Sequence, residues 1–189
     1  MTKQWLAPMV LLGLGAAFSF SASAQDAVSY EDKDELHDIV QAVEADNIEK
    51  DIRKLVSFGT RHTLSETESD TRGIGAARRW IYSEFEKISE ACGGCLEVMY
   101  VSDVISGEKR IPDPVEVKSV IAIQRGTTDP NRYVMMSGDI DSRVSDVMDS
   151  TSDAPGANDN ASGVAGTLEA ARVLSQYEFD GSIVYAALA

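Results

Sequence analysis

The chain has 189 residues, with 17 basic and 31 acidic side chains and a net charge of −14. That length suits about one domain with enough core to fold, and the acidic balance excludes nucleic acid and anionic membrane surfaces as natural partners, since both repel it. Nothing after residue 24 approaches the ~18 consecutive apolar residues of a membrane span.

The chain opens MTKQWLAPMVLLGLGAAFSFSASAQDA, a lone Lys3 ahead of an apolar run. Ala22-Ser23-Ala24 fits the small-x-small cleavage pattern of a signal peptide. An uncleaved anchor helix is the alternative, and Pro8 with the Ser/Ala tail favours cleavage. Residues 1–24 are therefore expected to be a leader and 25–189 the domain, in an exported, periplasmic or secreted protein. From Glu31 to Val56 the apolar residues Leu36, Ile39, Val40 and Val43, then Ile48, Ile52, Leu55 and Val56, keep helical spacing. A break near Asp46-Asn47 is where a second helix can be capped. His37 lies among charges and reads as a surface residue.

The stretch SFGTRHTLSETESDTRG is polar and reads as a loop. Its Arg61-His62 pair can contact a ligand or hydrogen-bond within the loop, and an isolated pair favours the second. A helix is predicted over Gly75–Ser89, with Ala77, Trp80, Ile81, Phe85 and Ile88 on one side. Cys92 and Cys95 follow in ACGGC, as either a disulfide or a redox pair; a position after a helix rather than at the start of one favours the disulfide. Strands are predicted over Leu96–Val101, Val115–Gln124 and Tyr133–Met136, the last read as buried. A helix over Val164–Leu174 and a second buried strand over Ser182–Ala189 complete a βαβ unit. That implies a parallel pair and an α/β sheet flanked by helices. A buried parallel strand normally runs on into another covering helix, so the chain reads as C-terminally truncated.

Between the third strand and the last helix lies SGDIDSRVSDVMDSTSDAPGANDNASG, which carries six aspartates. Carboxylates between the C-terminal end of a strand and the N-terminus of a helix suit a metal or polar ligand. One reading is a metal-dependent hydrolase. Another is a non-catalytic calcium or magnesium module drawing on Asp139, Asp141, Asp146, Asp149 and Asp153, because an all-oxygen site suits hard cations. For Asp146, Asp149 and Asp153 a solvated acidic loop accounts equally for the pattern. An interaction domain on the same scaffold is a third reading.

The segments SGDIDSR (Ser137–Arg143) and PGANDNASGVAGTLEAARVL (Pro155–Leu174), led by SFGTRHT and RGIGAARRW, resemble the exported zinc aminopeptidases of peptidase family M28, the bacterial leucyl aminopeptidase and glutamate carboxypeptidase type. The resemblance covers roughly residues 47–189. It implies a mixed, largely parallel zinc-exopeptidase-like sheet and hydrolysis of peptides or proteins by a metal-activated water. It also implies two zinc ions, bridged by Asp159. Asp139 stands where the family has a terminal histidine ligand, and Asp141 matches the carboxylate that orients that ligand. An aspartate at 139 adds negative charge and weakens the metal as a Lewis acid. The family's general-base glutamate and its remaining ligands are expected beyond Ala189, so the 189-residue chain alone is expected to be inactive.

Overall fold

The computed structural model describes residues 30–189; the expected leader over 1–24 lies outside them. Four helices occupy Tyr30–Gln41 (α1), Ala45–Val56 (α2), Gly73–Ala91 (α3) and Ser162–Leu174 (α4). Four strands occupy Leu96–Ile105 (β1), Val115–Gln124 (β2), Asp129–Asp139 (β3) and Gly181–Leu188 (β4). They form one sheet in the order β1-β2-β4-β3.

The β3-α4-β4 crossover makes β3 and β4 parallel, as the element order predicts. The pairings of β1 with β2 and of β2 with β4 are antiparallel. The sheet is therefore mixed as expected, but its parallel part among the described residues is one pairing, less than a largely parallel sheet. The reason is local: residues 106–114 return the chain directly from β1 to β2, and no covering helix intervenes to make them parallel.

Period-2 alternation places Val120, Ala122 and Gln124 of β2 on a buried face. The central strand β4 buries Ser182 and all of Val184–Ala187, on both faces. α3 lays Ile74, Ala77, Ile81, Phe85 and Ile88 onto the core, and α4 adds Val164, Leu168 and Ala171 at helical spacing. Each fully buried Leu, Ile or Phe here contributes on the order of 1.5–3 kcal/mol relative to exposure.

Two expectations change. β3 is buried only at Gly138: Tyr133, Val134, Met135 and Met136 are exposed, because β3 is the edge strand of the sheet. The break between the first two helices falls at Ala42–Glu44 rather than at Asp46-Asn47. Glu44 takes the N-cap position, and its N–H donates to Glu169 Oε1 at 2.8 Å, so α4 rather than a local cap fixes the start of α2. Cys92 and Cys95 are disulfide-bonded across the turn after α3. Among the described residues no helix is long and apolar enough to cross a membrane.

Candidate metal centre

The aspartate-rich segment leaves the C-terminal end of β3, where Asp139 pairs with Leu188 of β4 and the Ile140 N–H donates to the Leu188 carbonyl at 2.6 Å. It returns through a kinked turn at Ala157–Ala161 that feeds α4. Within that turn Asp159 (φ −121°, ψ 94°) and Asn160 (φ −135°, ψ 40°) leave helical geometry, and the bond between them is cis.

The two ends meet closely. The Asp139 N–H donates to Asn160 Oδ1 at 3.0 Å, which ties the backbone of one predicted ligand to the neighbour of the other. Gly138 makes the approach possible: a Cβ there would overlap the backbone of Gly163 and Val164 at the start of α4. Asp139 and Asp159 are exposed and Asp141 is half-buried. Burial pushes the Asp141 carboxyl up, and the neighbouring charges of Asp139 and Asp159 push it further. The three predicted site residues thus lie within one another's field.

Asp146, Asp149 and Asp153 do not join them. Asp146 Oδ1 accepts from the Met148 N–H at 2.9 Å, and Asp153 pairs with Arg72 at 2.7 Å. Asp149 Oδ1 accepts from the N–H groups of Thr151 and Ser152 and from the Thr151 hydroxyl, which hold its carboxyl far below the usual carboxylate range. These three shape their own loop, as the solvated-loop reading has it, and are committed away from a shared cation.

Arg61 organises the segment. Its side chain is fully buried, and it donates to four carbonyls: Nε to Ile140 at 2.8 Å, Nη1 to Leu55 at 3.0 Å and Pro155 at 2.8 Å, and Nη2 to Gly156 at 3.1 Å. Burial lowers its pKa to about 10, and the charge of Asp141 opposes that shift. Ser142 completes the clasp, bonding the Arg61 N–H and the Ala154 carbonyl through its hydroxyl. Gly156 sits at φ 47°, with Arg61, Ser142 and Asp159 packed where a Cβ would stand. Hydrogen bonding is the role expected of Arg61, but it spans two loops far apart in sequence rather than one. A lone arginine in a polar stretch carries no signal of that reach.

His62 also lies against the segment, although nothing in the sequence places it there. Its Nδ1 accepts from the Leu64 N–H at 3.0 Å, so Nε2 carries the proton and donates to the Val147 carbonyl at 3.1 Å. Both ring nitrogens are occupied by backbone, which makes His62 a support for the loop beside Asp141 and not a free ligand. His37 is exposed on α1.

The donor chemistry fits zinc in part. Asp139 and Asp159 offer exposed oxygens, and burial together with the charges of Asp139 and Asp159 raises the Asp141 carboxyl, which a cation among the three would oppose. Among the described residues no group of three or more His, Cys, Asp or Glu is gathered closely enough to hold a metal unaided. A four-ligand zinc shell therefore takes two donors here and needs others.

Comparison with known proteins bears on the family and the fold. Residues 119–189 match the profile of Peptidase family M28. A probable zinc metalloprotease of Pyrenophora teres is 51% identical over 156 residues, covering 82% of this chain and 32% of that protein. A probable zinc metalloprotease of Leptosphaeria maculans is 48% identical over 157 residues, covering 83% and 36%. The chain thus spans about a third of the length of these relatives. Among solved structures, the Legionella pneumophila LapA aminopeptidase superposes with a TM-score of 0.59 at 18% identity, over 85% of this chain and 38% of that one. Porphyromonas gingivalis glutaminyl cyclase gives 0.60 at 20% identity, over 78% and 48%. At those identities the two structures share the fold.

Proposed function

Because the chain belongs to peptidase family M28, we propose that it supplies the first part of a zinc-dependent hydrolase of peptides, most plainly an aminopeptidase. The observation that carries this is the 3.0 Å bond from the Asp139 N–H to Asn160 Oδ1, which brings the strand end bearing Asp139 against the turn bearing Asp159. Zinc, when bound, supplies a Lewis acid for the scissile carbonyl and for the attacking water.

The chain's own residues have separable tasks. Asp159 would hold zinc through its exposed carboxylate. Asp139 would add a second carboxylate to the metal, with the half-buried Asp141 beside it as a positioning residue. Asn160 fixes the Asp139 backbone, and Arg61 holds both loops to the sheet edge. The calcium reading is disfavoured, since three of its five carboxylates are committed to their own loop and to Arg72. An exported location is part of the proposal, supported by the leader pattern in residues 1–24 and by the Cys92–Cys95 disulfide, which suits an oxidising compartment.

The full-length protein is expected to hydrolyse aminoacyl p-nitroanilides, to lose that activity on chelation and to regain it with zinc. Hydrolysis unaffected by chelator, or none by the zinc-loaded protein on any aminoacyl or peptide substrate, would overturn the reading.

A further inference from the structure

Away from the aspartates, a cavity of 560 Å³ opens between the loop after Arg61, the first turns of α3 and the β1-β2 pair. Arg78 lines it and is only 8% exposed. Among the described residues its guanidinium donates no hydrogen bond and forms no ion pair within 4.0 Å, whereas the other deeply buried guanidinium, Arg61, reaches four carbonyls. No Arg78 nitrogen is sealed off as a buried atom without a partner, so the guanidinium, with no protein acceptor of its own, presents its donors to the cavity.

The neighbouring charges are already engaged. Arg79 donates to the backbone of Thr67, Glu68 and Ser69 and pairs with Asp70. Lys118 pairs with Glu116 at 2.9 Å and stands 5.5 Å from the centre of the Tyr100 ring. Glu116, the carboxylate nearest in effect to Arg78, also accepts from the Ser102 hydroxyl at 2.9 Å. Burial lowers the Arg78 pKa, with Glu116 and Tyr100 only partly offsetting it. Leu64, Pro114, Val115 and the Tyr100 ring give the cavity an apolar wall, beside the hydroxyl-bearing Thr63, Ser65 and Thr67 and the carboxylate of Glu68.

We propose that this cavity is a binding site for a small monocarboxylate with an apolar body, such as the free C-terminal residue of a short peptide, whose carboxylate engages the Arg78 fork in two parallel hydrogen bonds. The planar fork matches a carboxylate or a phosphate oxygen pair. The wall carboxylates Glu68 and Glu116 select against a doubly charged phosphate, and the apolar wall favours a ligand with a hydrocarbon side chain. The site is distinct from the aspartate cluster and does not depend on the peptidase reading.

The test uses the full-length protein, freed of metal with chelator so that carboxylates have no metal to ligate. N-acetylleucine, N-acetylleucinamide and inorganic phosphate are titrated by calorimetry into the natural protein and into Arg78→Met. N-acetylleucine is expected to bind at least tenfold more tightly than its amide and than phosphate. Arg78→Met is expected to lose at least tenfold of that affinity while melting no lower than the natural protein, since it replaces an unpartnered charge with an apolar chain. Equal binding of acid and amide, which needs no variant, would overturn the proposal. So would unaltered affinity in Arg78→Met, a lower melting temperature marking Arg78 as structural, or tighter binding of phosphate.

Discussion

Arg61→Met is expected to destabilise the fold by about 3–5 kcal/mol, since each buried carbonyl left without its donor costs about 1–3 kcal/mol. The side chain is fully buried and serves the carbonyls of Leu55, Ile140, Pro155 and Gly156; Leu55 and Gly156 keep the Phe58 and Ala161 N–H groups, but Ile140 and Pro155 lose a donor that a thioether cannot replace. Against a typical stability of about 5–15 kcal/mol, that is a large fraction. The damage will be uneven. The Ser142 N–H, which donates to the Arg61 carbonyl, and the Ala154 N–H, which donates to Gly59, close the two loops onto each other, and both amides should exchange far faster. Arg61→Lys restores the charge without the fork and should recover little. Urea unfolding with amide exchange checks this; a loss under about 1 kcal/mol would show the clasp to be redundant.

Arg172→Met is expected to cost a similar amount, about 3–5 kcal/mol at neutral pH, for an electrostatic reason. Arg172 on α4 lies 2.7 Å from Asp51 of α2, 3.2 Å from Glu169 and 3.5 Å from Glu84 of α3. One cation thus joins three helices through three carboxylates. Burial opposes its charge, but Asp51 and Glu169 outweigh burial and raise its pKa. Asp51 Oδ2 gains attraction without a well-aligned hydrogen bond, and burial keeps its carboxyl above the usual value of 3.8 even with Arg172 beside it. Removing the arginine takes away the main influence that lowers that pKa, so the folded value rises further. A carboxyl with a raised folded pKa binds its proton more tightly in the fold than in the unfolded chain. Its penalty is absent below the unfolded value and grows as pH rises through the folded one. The deficit of Arg172→Met should therefore shrink as pH falls towards about 4. Thermal unfolding from pH 7 to pH 4 beside the natural protein tests this. A deficit independent of pH would mean that lost packing, not unpaired charge, is responsible.

These two arginines also show what can be read from residue order and what cannot. The parallel βαβ unit and the helix faces of α3 and α4 follow from periodicity, because each depends on neighbours along the chain. Arg61 and Arg172 look like ordinary loop and helix-surface charges, and only the packing of distant segments turns them inward. The exposure of Tyr133–Met136 is the reverse case: apolarity there predicts burial, but burial depends on what lies beside an edge strand, and residue type does not encode that. Asp146, Asp149 and Asp153 share their composition with the site aspartates. They part from them through local turns and an arginine partner that spacing alone does not reveal.

The zinc content of the purified full-length protein, measured by plasma mass spectrometry beside Asp159→Ala, bears most directly on a metal centre built on the β3 edge. Asp159 is exposed and makes no hydrogen bond to another side chain among the described residues, so the variant should fold. The account predicts that the natural protein carries zinc and that Asp159→Ala loses most of it with its melting behaviour otherwise kept. Zinc retained in full by a folded Asp159→Ala would contradict it.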